Sequence, residues 1–313
     1  MPASTSRPDP RTSVTLHGLA CALTVQLLGD RTEELAAALD EAWSRCRTPQ
    51  DGERPAESIA VRLRAPGAVP VAAAPATPTT PVSSASPVSS ATPVSSATPA
   101  TTGPVPGPIP DPSPIDGSRL DTVLQQVTQS VTRAFIAAQA GRLLMLHAGA
   151  CAHPETGASV VFVAPGGTGK TTLSRVLGQS LGYLTDETVG ITPAGRIRPY
   201  PKPLSIRTGG LTAPKAETSP DTLGLVAAPA DPWLRRIVLL DRSDDHTGAP
   251  RCEELDVADA IIALAPETSS LSSLDRPLHL VADLLAAAGP VLRWHYREAT
   301  DLAPILSGLL EAA

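Results

Sequence analysis

The sequence predicts an α/β protein organised around one strand-loop-helix unit, with a small β-α-β unit before it and a structureless insertion between the two. Three observations lead there. A β-branched run, Val160-Val161-Phe162-Val163, breaks into Gly166, Gly167 and Gly169 and resumes as a helical pattern from Thr171. Downstream, apolar runs at 234–241 and 290–296 alternate with helical patterns at 257–265 and 278–287, the order expected of a sheet with helices on its faces. Between 65 and 118 the composition turns to proline-spaced Ser, Thr and Ala, which holds no core.

Composition bounds the rest. Of 313 residues 34 are proline, 42% are hydrophobic and only 3% aromatic, so the predicted core is aliphatic and covers part of the chain. A net charge of -6 with no Lys/Arg block argues against binding nucleic acid. Cys21, Cys46, Cys151 and Cys252 form no C-x-x-C pair, which points away from a zinc site or a disulfide scaffold and toward a reduced, cytoplasmic protein. The first residues carry no apolar signal core and no run of membrane-spanning length occurs, so neither export nor a membrane partner is expected. Self-association is left open.

In chain order, Val14 to Val25 reads as one or two strands, Glu33 to Cys46 as a helix with Leu35, Ala36, Leu39, Ala42 and Trp43 at helical spacing, and Ser58 to Arg64 as an alternating strand. This first unit, 1–64, is too small to bury much alone and is expected to dock on something. The 65–118 stretch, with its Pro-Val-Ser-Ser-Ala-Ser/Thr repeat from Pro81, is read as a disordered linker. The remaining unit, 119–313, opens with an amphipathic helix over Asp121 to Ala140 that Gly141 ends. Leu143 to Ala152 and Ser159 to Val163 form a hairpin, which brings His147 toward the glycine loop. Gly182 to Ile191 is read as an apolar strand ending in the adjacent acidic pair Asp186-Glu187, and Arg196 to Arg207 as an extended segment broken by prolines. Loop fills 209–231, and a last helix starts at Leu302.

The glycine loop carries chemistry. A buried strand delivering Gly166-Gly167-Thr168-Gly169-Lys170-Thr171-Thr172 onto a helix start turns backbone N–H groups toward a phosphate. Lys170 then reaches the outer phosphates, and the Thr171 hydroxyl is a magnesium ligand. The first glycine of the usual G-x-x-x-x-G-K-[ST] pattern is Ala164 here. Phosphoryl transfer further needs a carboxylate for the metal and an acceptor for the nucleophile's proton, and the adjacent acids Asp186 and Glu187 can divide those tasks. Asp241, closing the 234–241 run, ranks second as a metal acid. Lys202 and Arg207 are candidates for an electropositive rim, while His17, His153, His246, His279 and His295 show no ligand spacing.

In Leu146-His147-Ala148-Gly149-Ala150, the loop 166–172, Leu184-Thr185-Asp186-Glu187 and Pro199 to Ser205, taken in that order, the chain resembles the HPr kinase/phosphorylase family, P-loop kinases akin to phosphoenolpyruvate carboxykinase. The resemblance spans 120–313, with the first 65 residues like the short N-terminal region of actinobacterial members. It implies a kinase domain of that type and catalytic roles for Lys170, for His147 beside the transferred phosphate and for Asp186 as proton acceptor. It further implies Thr171 and Glu187 as magnesium ligands and the loop 166–172 as the ATP site. Glu187 stands where the family usually has Asp, and Gly166 where it has Ser. The expected activity is ATP- and magnesium-dependent transfer to a hydroxyl, serine above all, of a peptide or small protein, with peptide natural-product tailoring as the setting. The alternative is an ATP-binding regulatory or scaffold protein of the same fold that transfers nothing.

Overall fold

The computed structural model describes residues 12–65, 114–207 and 215–311. Alternating buried and open positions run through Ser13–Gly18 (β1) and Cys21–Leu28 (β2), which pair antiparallel around the two-residue turn Leu19-Ala20. Thr32–Ala42 (α1) follows, a turn shorter than the predicted helix because Ser44–Cys46 tightens into a 3-10 turn. Arg54–Pro55 (β3), Ile59–Leu63 (β4) and Ile115–Gly117 (β5) complete a sheet of order β1-β2-β4-β5, with β3 beside β2. β5 falls inside the stretch read as linker, so that boundary is corrected: the segment returns to the sheet through three residues parallel to β4. The insertion from 66 to 113, including the hexapeptide repeat, lies outside the described residues.

Leu120–Gln139 (α2) is the helix that the amphipathic pattern predicts, but it packs on this first sheet. Val123, Val127, Val131 and Phe135 share one core with Leu16, Leu23, Leu35, Leu39, Trp43 and Val61. The helix therefore supplies the burial that the first 65 residues lack, and the parts of the chain before and after the insertion form one compact unit. Tyr200, from the proline-broken segment, closes that core. Its ring lies 6.2 Å from Trp43 and 5.5 Å from Phe135, and its hydroxyl pairs with Thr132 at 2.9 Å.

The second sheet carries the glycine loop. Its strands are Leu144–Ala152 (β6), Ala158–Val163 (β7), Gly182–Thr185 (β8), Thr188–Ile191 (β9) and Ile197–Arg198 (β10). Leu204–Arg207 (β11) and Lys215–Thr218 (β12) make a separate ribbon. Trp233–Arg242 (β13), Arg251–Leu255 (β14), Thr268–Ser269 (β15) and Val291–Tyr296 (β16) return to the large sheet, in the order β10-β9-β6-β7-β13-β16-β14, with β8 and β15 also on β6. β7, β13 and β16 run parallel and the flanking strands antiparallel. Lys170–Leu177 (α3) and Ala299–Glu311 (α6) share one core, whereas Val257–Leu264 (α4) and Pro277–Ala288 (α5) share the other. Along β7, Val160 and Phe162 enter the α3/α6 core, Val161 and Val163 the α4/α5 core. A strand covered on both faces needs no polar positions, which is why it reads as an unbroken apolar run.

Three expectations shift. The 182–191 run is two strands, β8 and β9, parted at Asp186-Glu187, because an apolar strand pressed into the sheet has no room for two adjacent charges without a break. β12 lies in a segment read as loop; four half-buried residues without an apolar alternation gave no strand signal. The last helix begins at Ala299 rather than Leu302.

Candidate functional site

Sheet order explains why distant segments meet. β6 lies between β7 on one side and β8 and β9 on the other. Ala148 is in register with Val163, the last residue of β7 before the loop, and its N–H donates to Glu187 O at 3.1 Å. Its neighbour His147 faces Thr188 across the other edge. The histidine, the loop and the acid pair thus occupy three adjacent strands at one level. Gly149 makes this closeness feasible: a Cβ there would stand 2.1 Å from Cε2 of Phe162 on β7.

The loop itself is built by backbone freedom. Gly167 (φ 85°) and Gly169 (φ 105°) adopt left-handed conformations that only glycine takes cheaply, and Gly169 immediately precedes α3. Neither Gly166 nor Gly167 has an atom within 4 Å of where a Cβ would sit, so the ground above the loop is open. Ala164, the departure from the usual pattern, directly follows β7 with its methyl buried in the α3/α6 core and needs no glycine conformation. Thr168 turns its hydroxyl back to Pro165 O at 2.9 Å.

Lys170, Thr171 and Thr172 of α3 line a cavity of about 470 Å³, within the usual range for small-molecule sites. Gly166, Gly167 and Gly169 line it too, with His147, Asp186 and Glu187. Lys170 is buried, its ammonium donating to Ala164 O and, at 3.1 Å, to Pro165 O. Burial pulls its pKa below the ordinary lysine value against the raising effect of Glu267, Asp186 and Glu187. Burial, and next the charge of Lys170, likewise lower the pKa of His147, which favours the neutral imidazole.

The acids are held differently. Asp186 is 5% exposed: Thr171 Oγ1 donates to Oδ2 at 2.8 Å, and Tyr183 Oη donates to Oδ1 at 3.2 Å. Glu187 is partly exposed at the cavity. Lys202, expected at a rim, is instead in the floor: it is 1% exposed and bridges Asp186 Oδ1 at 2.9 Å and Glu187 Oε2 at 3.1 Å. Arg207 does line the opening. Asp241 does not line the cavity; it is exposed at the end of β13, 2.7 Å from His295 Nδ1.

Several lining residues escape sequence reasoning. Lys215 stands opposite Arg207 on the β11–β12 ribbon, and Gln125, Gln129 and the buried Thr128 come from α2. Glu217, on the same ribbon, is half-buried and receives hydroxyl hydrogen bonds from Ser205 at 2.6 Å and Thr128 at 2.9 Å. The i, i+4 pair Gln125 and Gln129 was the available signal, yet polar residues on an amphipathic helix ordinarily face water.

The donor set suits a hard cation and a polyphosphate. One hydroxyl and two carboxylates offer oxygen ligands of the kind magnesium takes, and the open glycine ground beside a buried lysine offers room and charge for phosphate. No protein-family profile matches the chain, and no curated protein does. Among solved structures it is similar to the Hpr(Ser) kinase/phosphatase from Coxiella burnetii, at 12% identity, over 53% of this chain and 93% of that one, with a TM-score of 0.28. A likeness at that score assigns no activity.

Proposed function

We propose that this chain is an ATP- and magnesium-dependent phosphotransferase that delivers the γ-phosphoryl group to a hydroxyl, serine above all, of a peptide or small protein, with peptide tailoring as the setting. The observation that carries the reading is the Thr171–Asp186 hydrogen bond, which joins the glycine-loop helix to the acid pair at 2.8 Å inside one cavity. A phosphate-binding loop alone suits any nucleotide protein; a loop coupled to two carboxylates and a neutral histidine suits transfer to a hydroxyl.

In this reading the amides of 166–172 receive the phosphates, and Lys170 exchanges its carbonyl partners for phosphate oxygens. Thr171 and Glu187 would hold magnesium, which when bound would supply positive charge against the phosphates. Asp186 takes the proton of the acceptor hydroxyl, and neutral His147 orients the transferred group. A second assignment has its own support: Asp186 is the acid that touches Thr171, and Glu187 is the acid more open to the cavity. The roles would then exchange, Asp186 on the metal side and Glu187 accepting the proton.

Transfer from radiolabelled ATP to serine peptides tests both. Wild type is expected to transfer, and Lys170→Ala to lose transfer. If Asp186→Asn abolishes transfer while Glu187→Gln chiefly raises the magnesium requirement, the first assignment stands; the reverse pattern selects the second. Tight ATP binding by wild type without transfer to any hydroxyl would leave a nucleotide-binding regulator instead.

A further inference from the structure

We infer that Lys202 is a built-in counter-cation for the acid pair, its ammonium bridging Asp186 and Glu187, orienting both, and standing where a divalent ion would otherwise collect without nucleotide. The inference rests on the reading of the pair as the metal side of the site, but its geometry is independent of any reaction.

Two adjacent carboxylates at the floor of a cavity repel one another, and a buried charge without a partner is costly. The chain meets this with a single side chain. The ammonium of Lys202 has three protons and three acceptors: Asp186 Oδ1 at 2.9 Å, Glu187 Oε2 at 3.1 Å and Pro203 O at 2.9 Å. Its backbone is constrained as tightly. Pro201 and Pro203 flank it, Lys202 N–H donates to Tyr200 O at 2.8 Å, and Tyr200 N–H donates to Leu184 O at 3.0 Å, tying the segment to β8 two residues before Asp186. Burial opposes the charge on Lys202, but Asp186, Glu187 and Glu217 outweigh it and raise its pKa, the opposite of the shift at Lys170. The two buried lysines of the cavity therefore divide the work: Lys170 rests on carbonyls it can leave, and Lys202 is locked to the acids.

Lys202→Met keeps the length and removes the charge, so the acids should then recruit a metal that wild type does not need. Thermal unfolding of the nucleotide-free protein, in EDTA and in millimolar magnesium or manganese, reads this directly. The variant is expected to melt about 10 °C below wild type in EDTA and to regain roughly half of that loss with the metal, while wild type barely moves. K202M/E187Q, with one carboxylate fewer, is expected to melt above K202M in EDTA and to respond less to metal. If K202M is recovered unfolded, refolding only with metal supports the inference and refolding in neither condition overturns it. A folded K202M that matches wild type in EDTA, or one that no divalent ion restores, also overturns it. Because no nucleotide is present, none of these outcomes depends on whether the protein transfers phosphate.

Discussion

Gly149→Ala places one methyl where β6 lies beside Phe162 of β7, and its cost follows from the packing there. The new Cβ would lie 2.1 Å from Cε2 and 2.6 Å from Cζ of Phe162, so the ring must retreat by more than an ångström to regain contact distance. It cannot retreat freely, because Phe162 is 0% exposed and packed with Leu173, Leu177, Leu302 and Leu306. Overpacking of this kind costs about 1–3 kcal/mol, which in a protein of this size lowers the melting temperature by roughly 2–12 °C. The retreat also pushes on α3, the helix that carries Lys170 and Thr171, so ATP affinity should fall with stability. Phe162→Leu makes room, and the double variant G149A/F162L should recover part of the loss, giving a coupling energy of about 1 kcal/mol or more in thermal and denaturant unfolding. Unchanged melting of Gly149→Ala, or strictly additive losses in the double variant, would refute the packing argument.

Other expectations follow from the same geometry. Leu19 and Ala20 both sit at φ 51° in the β1–β2 turn, held there by Gln139 Nε2 donating to both carbonyls, at 2.7 and 3.1 Å. Ala20→Gly should therefore stabilise the protein by up to about 1 kcal/mol in urea unfolding, since relief of left-handed strain exceeds the entropy cost of glycine; a loss of stability would contradict the strain. His147 has a folded pKa below its ordinary value of 6.5, so its contribution is present above that value and lost as pH falls through it. Melting temperature should accordingly drop less between pH 7 and pH 5.5 in His147→Gln than in wild type, and identical slopes would count against a buried neutral imidazole. Thr171→Val breaks the 2.8 Å hydrogen bond to Asp186; it should leave metal-free ATP binding near wild type and weaken the magnesium-dependent gain by about tenfold in calorimetric titration.

Where local chemistry decides structure, the sequence was readable. The Val-rich strand, the glycines and the Gly169-Lys170-Thr171 step announce their own fold because each is a backbone demand met within a few residues. Asp186 and Glu187 were legible as an acid pair at a strand end but not as the break between β8 and β9, and Tyr200 was not legible as a core residue, because its partners Trp43 and Phe135 lie far away in sequence. The same reason hid the allegiance of α2: periodicity gives the apolar face and says nothing of which sheet will cover it. Lys202 was misjudged for a related cause. A lysine between two prolines reads as exposed, and only the pairing of β8, β9 and the 199–203 segment reveals it buried against two acids.

The proposed function requires the cavity to be a magnesium-nucleotide site centred on Lys170. Calorimetric titration of ATP, with and without magnesium, into wild type and Lys170→Ala tests it most directly. Wild type should bind ATP more tightly with magnesium, and the variant should lose at least about tenfold in affinity, the weight of one charge-assisted contact. Equal affinity in the two proteins, or no binding by wild type, would contradict it.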